Sequence, residues 1–281
     1  MQKFFLKLLL FCMTSSNIFA EPAKPIILVL GSGGSKGLAH VGVIEELEKL
    51  KIIPDIIVGC SSGAIVGAMY ALTKDSQFIK KCLIDLSASE IVDYSLFQKG
   101  AISTRVKLTK FLDKHFKDKV FSDTKIKLVI VSTDFETGMP VYFSEGSIQK
   151  ATLASCALPG LFPPLEYNGK IYIDGGCSSP LPISYANKIK GEGIVIASDV
   201  SGSLSQYEGG NLIYNLRKSF EIIYQNLIHF SKEQADVVIS SLIEDVKTPI
   251  DDQSNLKIYL SGKKAVINHL PELKKAKLIP H

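Results

Sequence analysis

From Ile26 onward, short continuous apolar runs alternate with stretches in which apolar residues return every three or four positions. The run Ile-Ile-Leu-Val-Leu at 26–30 has no polar face, so it predicts a strand buried on both sides. Residues 37–50 follow with Val41, Ile44, Leu47 and Leu50 at helical spacing. A second strand at 55–58 runs through Gly59 into a helix at 62–72, and helical patterns return at 77–86 and 104–116. A strand at 126–133 turns at Thr137-Gly138 into 141–143, and a short helix at 147–156 is closed by Pro159, Pro163 and Pro164, which cannot continue it. Residues 167–173 read as a hairpin about Asn168-Gly169, and 193–199 as a further buried strand. Strands alternating with helices predict an α/β layered fold with a largely parallel sheet. Past Val200 the pattern weakens into a polar loop at 201–210 and helices at 211–230 and 263–276. Neither an internal repeat nor an interdomain linker is visible, so a single domain over 21–281 is expected.

The first twenty residues stand apart from this pattern. Lys3 and Lys7 accompany the apolar run 4–13, and Thr14 to Asn17 are polar before Ile18-Phe19-Ala20 and Glu21-Pro22. That order predicts a secretory signal over 1–20, cleaved after Ala20, and export to the periplasm or outside the cell. A spanning helix would need about 20 predominantly apolar residues. Cleavage removes two lysines and no acid, which lowers the formal charge from +4 to +2. So small an excess gives no preference for polyanions, and nucleic acid is discounted as a partner. The lysines Lys263, Lys264, Lys274, Lys275 and Lys277 near the C-terminus read as a solvated helix face or as an attraction for anionic lipid headgroups. Cys60, Cys82, Cys156 and Cys177 fit no zinc spacing and read as buried thiols, although an oxidising compartment would permit a bridge from Cys156 to Cys177.

Three segments can carry chemistry. Gly59-Cys60-Ser61-Ser62-Gly63 has the form GxSxG and lies between a predicted strand and a predicted helix. A nucleophile elbow needs this context: Gly59 and Gly63 leave room for a sharp turn that exposes the Ser61 hydroxyl, and the helix dipole faces the developing oxyanion. Ser62 reads as the helix cap. The loop 31–37, Gly-Ser-Gly-Gly-Ser-Lys-Gly, opens the first helix and presents backbone NH groups. As a dinucleotide fingerprint or a phosphate loop it fails by one residue, whereas an oxyanion hole tolerates its spacing. Asp174-Gly175-Gly176 ends a predicted strand; alone, such a triplet is usually a turn.

Ser61 needs a base, because an unaided hydroxyl is a poor nucleophile. His40 lies inside the first helix and reads as packed. His115, His229, His269 and His281 lie on helical patterns or at the terminus, away from the strand-end loops that suit a triad histidine. A carboxylate is the alternative, provided that a dry surrounding raises its pKa; Leu161-Phe162-Pro163-Pro164 is a candidate surrounding. Asp174 ranks ahead of Asp134, whose neighbours Phe135 and Glu136 hinder close backbone approach.

Taken in order, these segments resemble the patatin-like phospholipase family, with its glycine-rich oxyanion loop, GxSxG elbow and DGG or DGA aspartate. The resemblance runs over about 26–200 and includes residues 37–43, Thr133-Asp134 with Thr137-Gly138, and residues 154–164. It implies a three-layer α/β sandwich, a catalytic dyad of Ser61 as nucleophile and Asp174 as proton acceptor, and oxyanion donors from Gly33, Gly34 and Ser35 beside the basic Lys36. Gly175 and Gly176 complete the aspartate motif. Ser32 stands where the family usually has glycine, and Ser179 where asparagine is common.

The expected activity is hydrolysis of fatty-acyl esters of phospholipids or other polar lipids, with neither metal nor organic cofactor and with a peripheral membrane surface as a partner. The apolar stretch 84–102, with Ile84, Leu86, Ile91, Tyr94, Leu96 and Phe97, is a candidate wall for the acyl chain, or core. Two alternatives remain at this point: an esterase with a Ser-His-Asp triad using His269, and a lipid-binding protein without catalysis.

Overall fold

The computed structural model describes residues 24–93, 100–204, 209–243 and 252–280. The predicted signal at 1–20 lies outside the described residues, as do Tyr94, Leu96 and Phe97 of the candidate acyl wall.

The strands are β1 (Ile26–Leu30), β2 (Ile56–Cys60), β3 (Lys127–Asp134), β4 (Pro140–Phe143), β5 (Leu165–Tyr167), β6 (Lys170–Asp174), β7 (Ile194–Asp199) and β8 (Val237–Ser240). The helices are α1 (Leu38–Lys49), α2 (Ser62–Thr73), α3 (Ser76–Leu83), α4 (Ala88–Ile91), α5 (Val106–Phe116), α6 (Ile148–Ser155), α7 (Ile183–Ile189), α8 (Leu212–Lys232), α9 (Asp252–Asn268) and α10 (Leu270–Lys275). One sheet runs in the order β5-β6-β3-β2-β1-β7-β8, with β4 paired to β3 off this path. Its centre, from β3 through β2, β1 and β7 to β8, is parallel, and the β4, β5 and β6 pairings are antiparallel.

Side-chain alternation divides the sheet between two cores. Leu28, Leu30, Ile57, Leu128, Ile130 and Ile196 face the larger core, shared with α1, α2, α5 and α9. Ile27, Val29, Val58, Val129, Val131 and Val195 face the smaller one, closed by Ile183 and Ala186 of α7 and Ile228 of α8. Both faces of the central strands are thus covered, which explains why they read as unbroken apolar runs. The result is the three-layer sandwich.

Helix α9 packs along α1 and is pinned by Lys263, whose Nζ lies 2.7 Å from Glu45 Oε1 and 3.2 Å from Glu46 Oε1. The Tyr259 hydroxyl also donates to Glu45. Lys263 is therefore part of an ion-pair cluster and is not a free headgroup ligand. The single helix expected at 263–276 is instead two. Pro271 lacks an NH and its ring collides with the preceding turn, so α9 stops at Asn268 and α10 starts anew with this proline in its first turn. Strand β8 and helix α7 have no counterpart among the predicted elements. Ile84, Leu86 and Ile91 pack against the larger core, and Asn255 Nδ2 donates to the carbonyls of Ile84 and Leu86.

Strand β3 places the site. Its residues Ile130 and Val131 pair with β2 and also with β4, and Ser132 and Thr133 pair with β4 and also with β6. A strand has only two edges, so β2 and β6 must follow one another along the same edge of β3. Cys60 is the last β2 residue there, opposite Val131, and Asp174 occupies the next position, opposite Ser132. The chain leaves the edge at the residue after Cys60, and the aspartate fills the place it vacates.

Candidate active site

Ser61 has φ 53° and ψ −118°, a left-handed region that costs a non-glycine residue about 1–3 kcal/mol and needs support from its surroundings. Two features supply it. The Ser61 NH donates to Ser155 Oγ at 2.8 Å, and that buried hydroxyl in turn donates to the Val131 carbonyl at 2.5 Å. The flanking glycines give the turn its room: a Cβ on Gly63 would stand 2.2 Å from the Leu30 carbonyl oxygen, and one on Gly59 2.6 Å from the Gly63 carbonyl oxygen. Ser61 holds the N-cap position of α2 and Ser62 is the first helical residue, so the expected capping by Ser62 is not made. The Ser62 hydroxyl is instead buried, without a hydrogen-bond partner among the described residues.

The Ser61 hydroxyl donates to Asp174 Oδ2 at 2.7 Å, and the other carboxylate oxygen accepts the Gly176 NH at 2.7 Å. Asp174 is 2% exposed. Burial pushes its carboxyl up from 3.8 to about 6, against the opposing effect of the Ser61 and Gly176 hydrogen bonds. Its main chain is fixed as well, since the NH donates to the Ala157 carbonyl and the carbonyl accepts Thr133 Oγ1. Gly175 lies so close under β3 that a Cβ would stand 2.4 Å from the Val131 carbonyl oxygen and 2.8 Å from Cys60 Sγ. The thiols of Cys60, Cys156 and Cys177 are pushed up first by burial and then by the Asp174 charge. All four described cysteines are free thiols.

The third segment arrives from β1. Gly34, at φ 56°, opens a single 3-10 turn, Gly34–Gly37, whose first internal bond runs from the Lys36 NH to the Gly33 carbonyl at 3.1 Å. The NH groups of Gly33, Gly34 and Ser35 precede that bond and have no partner within the turn. Lys36 is arranged differently from these three. Its NH is engaged inside the turn, and its ammonium donates to the Ser201 carbonyl at 2.7 Å. The turn sits against the elbow and the aspartate motif: a Cβ on Gly37 would overlap Ser62, and one on Gly176 would stand 3.1 Å from Ser32 Oγ.

The residues that hold this loop are ones the sequence does not single out as functional. His40, fully buried, bridges Gly31 and Ser198: its Nε2 is 2.8 Å from the Gly31 carbonyl oxygen and its Nδ1 2.8 Å from Ser198 Oγ. A carbonyl can only accept, so Nε2 carries the proton and Nδ1 accepts from the serine. Burial depresses the His40 pKa from 6.5 to about 4. From the other side, the Tyr224 hydroxyl of α8 donates to the Ser32 carbonyl, and Ser32 NH donates to the Pro180 carbonyl at 2.8 Å. Tyr224 and Ser155 carry no local sequence signal; only the folded chain brings them here.

The rival bases are engaged elsewhere. Asp134 Oδ1 accepts the NH groups of Glu136 and Thr137, and its carboxyl is held below its ordinary value first by the Thr137 NH. His269 Nδ1 lies 2.8 Å from the Ala265 carbonyl oxygen, at the junction of α9 and α10. Among the described residues no group of three or more His, Cys, Asp or Glu side chains is placed to hold a metal ion.

A serine on a strained strand-to-helix turn, a buried carboxylate bonded to it and a turn whose first NH groups have no partner within it are the parts that a serine acyl hydrolase site needs, here on an α/β sandwich. The family model described as patatin-like phospholipase matches residues 28–187, and the chain belongs to that family. An uncharacterised NTE family protein of Mycobacterium bovis is 32% identical over 184 residues, which covers 63% of this chain and 49% of that protein. Lysophospholipase nte1 of Aspergillus fumigatus is 31% identical over 184 residues, covering 63% of this chain and 12% of its own length. The chain thus spans about half the length of the first of these relatives and a small part of the second. Among solved structures, VipD from Legionella pneumophila shares the fold, with a TM-score of 0.56 at 14% identity over 87% of this chain and 66% of that one.

Proposed function

We propose that this protein hydrolyses fatty-acyl esters of polar lipids through an acyl intermediate on Ser61, with Asp174 as the only protein base. The observation that carries the reading is the direct 2.7 Å hydrogen bond from Ser61 Oγ to a carboxylate that burial holds near 6. A carboxylate of ordinary pKa is a weak base for a hydroxyl; one raised toward neutrality accepts the proton more readily and returns it to the leaving alcohol. As Ser61 attacks the ester carbonyl, its proton passes to Asp174 Oδ2, and the new oxyanion is received by the NH groups of Gly33, Gly34 and Ser35 and by the N-terminal end of α2. Collapse of the tetrahedral species expels the alcohol, protonated by Asp174. Water, deprotonated by the same carboxylate, then releases the fatty acid and regenerates Ser61. Lys36 supports the loop from Ser201 in this scheme, and the positive end needed at the oxyanion comes from backbone dipoles.

The relative named as a lysophospholipase makes single-chain phospholipids the first substrates to try. The test uses the purified protein with a fluorophosphonate probe and a mixed lipid extract. The wild type is expected to be labelled and to release free fatty acid, and Ser61→Ala to do neither. A folded wild type that takes no label and releases no fatty acid overturns the proposal. Equal turnover in Asp174→Asn would remove the aspartate from the mechanism while leaving the serine in it.

A further inference from the structure

Helix α8 is apolar on the side where a surface helix is ordinarily polar. Leu212, Leu216, Ile223 and Phe230 are 73, 62, 58 and 67% exposed, and Phe220 stands among them at 37%. Their spacing of four, four, three and seven residues keeps them within one stripe of the helix. The other side carries Ile228, buried in the smaller core, and at the edge of the stripe Tyr224, stacked on Phe220 at 6.4 Å, holds the Ser32 carbonyl of the loop with its hydroxyl. The same end of the sheet has Leu242, 76% exposed just beyond β8, and Leu204, 47% exposed, two residues past Gly202. Gly202 belongs to the loop neighbourhood: its carbonyl accepts Gln225 Nε2 of α8, and it adjoins Lys36 Nζ.

We propose that the outer face of α8, with Leu204 and Leu242 beside it, is the surface by which this protein rests on a lipid bilayer, its apolar stripe sunk among the acyl chains at the headgroup boundary. The proposal rests on the lipid hydrolase reading above. Two observations favour a bilayer over a second copy of the chain. Tyr224 and Gln225, which hold the Ser32 and Gly202 carbonyls, bring the N-terminal part of the stripe, from Leu212 to Ile223, to the end of the sheet at which β1 delivers the loop, so a docked helix brings a lipid ester near a nucleophile that is itself buried. The charge also fits an anionic headgroup layer: α8 carries Arg217, Lys218 and Lys232 against one acid, Glu221, which is paired with Lys218 at 3.2 Å and, like Arg217 one turn before it, lies off the stripe. No described helix is long and apolar enough to cross a membrane, and an interfacial helix need not be.

The chain contains no tryptophan, so one introduced indole reports its own surroundings without background. Ile223→Trp is mixed with phosphatidylcholine vesicles, with and without phosphatidylglycerol, and its emission is expected to shift to the blue and to be quenched by brominated acyl chains, more strongly with the anionic lipid. Leu216→Glu/Ile223→Glu should weaken vesicle binding at least about tenfold and lower turnover of vesicle lipid to match, while a soluble short-chain ester is hydrolysed and the fluorophosphonate probe is taken up as in the wild type. Leu260→Glu, at a 48% exposed position on α9, should change neither. The proposal is overturned by unchanged vesicle binding in the double variant, by an indole that stays in water, or by a wild-type dimer that the double variant dissociates without any effect of vesicles. Failure of the hydrolase reading looks different: neither ester is turned over and no label is taken up, whatever the indole reports.

Discussion

Asp174 carries two opposed demands, and its pKa expresses both. As the base in the proposed mechanism it must be ionised, so turnover should fall as the pH drops through about 6; a plot of kcat/KM against pH for a soluble ester checks the position of that acid limb. As a buried group it is costly to ionise. Its folded value lies above the ordinary 3.8, so what it contributes to folding is most favourable below that value and is lost as the pH rises through about 6. A displacement of this size corresponds to about 3 kcal/mol. Asp174→Asn, which keeps the shape, should therefore raise the thermal midpoint at neutral pH and lose that advantage below about pH 4, while turnover falls about 10²- to 10⁴-fold. A lower midpoint at neutral pH would mean that the carboxylate stabilises the fold. Ser155 can be tested at the same scale. Its removal as Ser155→Ala leaves the Ser61 NH buried without an acceptor, for about 1–3 kcal/mol of stability, and urea unfolding measures it. Ser61 was legible because a strand, a helix and two obligatory glycines all imply one turn. Asp174 was less so, since a strand-end Asp-Gly-Gly means little until β6 is known to continue the edge that β2 leaves.

At the scale of elements, the apolar runs gave β1, β2, β3 and β7 because those strands are covered on both faces and need no alternation to be seen. What escaped notice was short or depended on partners. Strand β8 has four residues and is defined by pairing with β7, and the break between α9 and α10 turns on one proline inside an otherwise helical pattern. The loop proposed to receive the oxyanion is held by a group whose charge depends on pH. His40 is neutral when it clamps Gly31, and its folded value near 4 lies below the ordinary 6.5, so its contribution is complete above about 6.5 and lost as the pH falls through 4. Acid should thus act in two stages: turnover is lost near 6, whereas the stability that His40 loses between about 6.5 and 4 is offset by the protonation of Asp174 over nearly the same range, so the fold weakens only at the acid end of it. Parallel titrations of activity and thermal midpoint would separate them, and a single shared midpoint would contradict the assignment. Exchange of the backbone amides around Gly31 should accelerate only in the second stage.

For the molecule as a whole, α9 packs along α1, and the proposed mechanism takes no group from α9 or α10. His269 ties its ring to Ala265 within its own helix end, so His269→Ala should leave ester turnover within about twofold of the wild type and change mainly the thermal midpoint; a collapse of activity in a folded variant would revive the triad. The site itself is a closure over distance. Ser61 and Asp174 lie 113 residues apart in the chain, and they meet only when the antiparallel β6 takes up the edge of β3 beyond the parallel β2. Contacts of such separation are slow to form in a refolding chain. Nucleophilic reactivity should therefore be among the last properties regained after dilution from denaturant, behind helical content and collapse, and pulses of fluorophosphonate during refolding would read the arrival of that one strand as a clock.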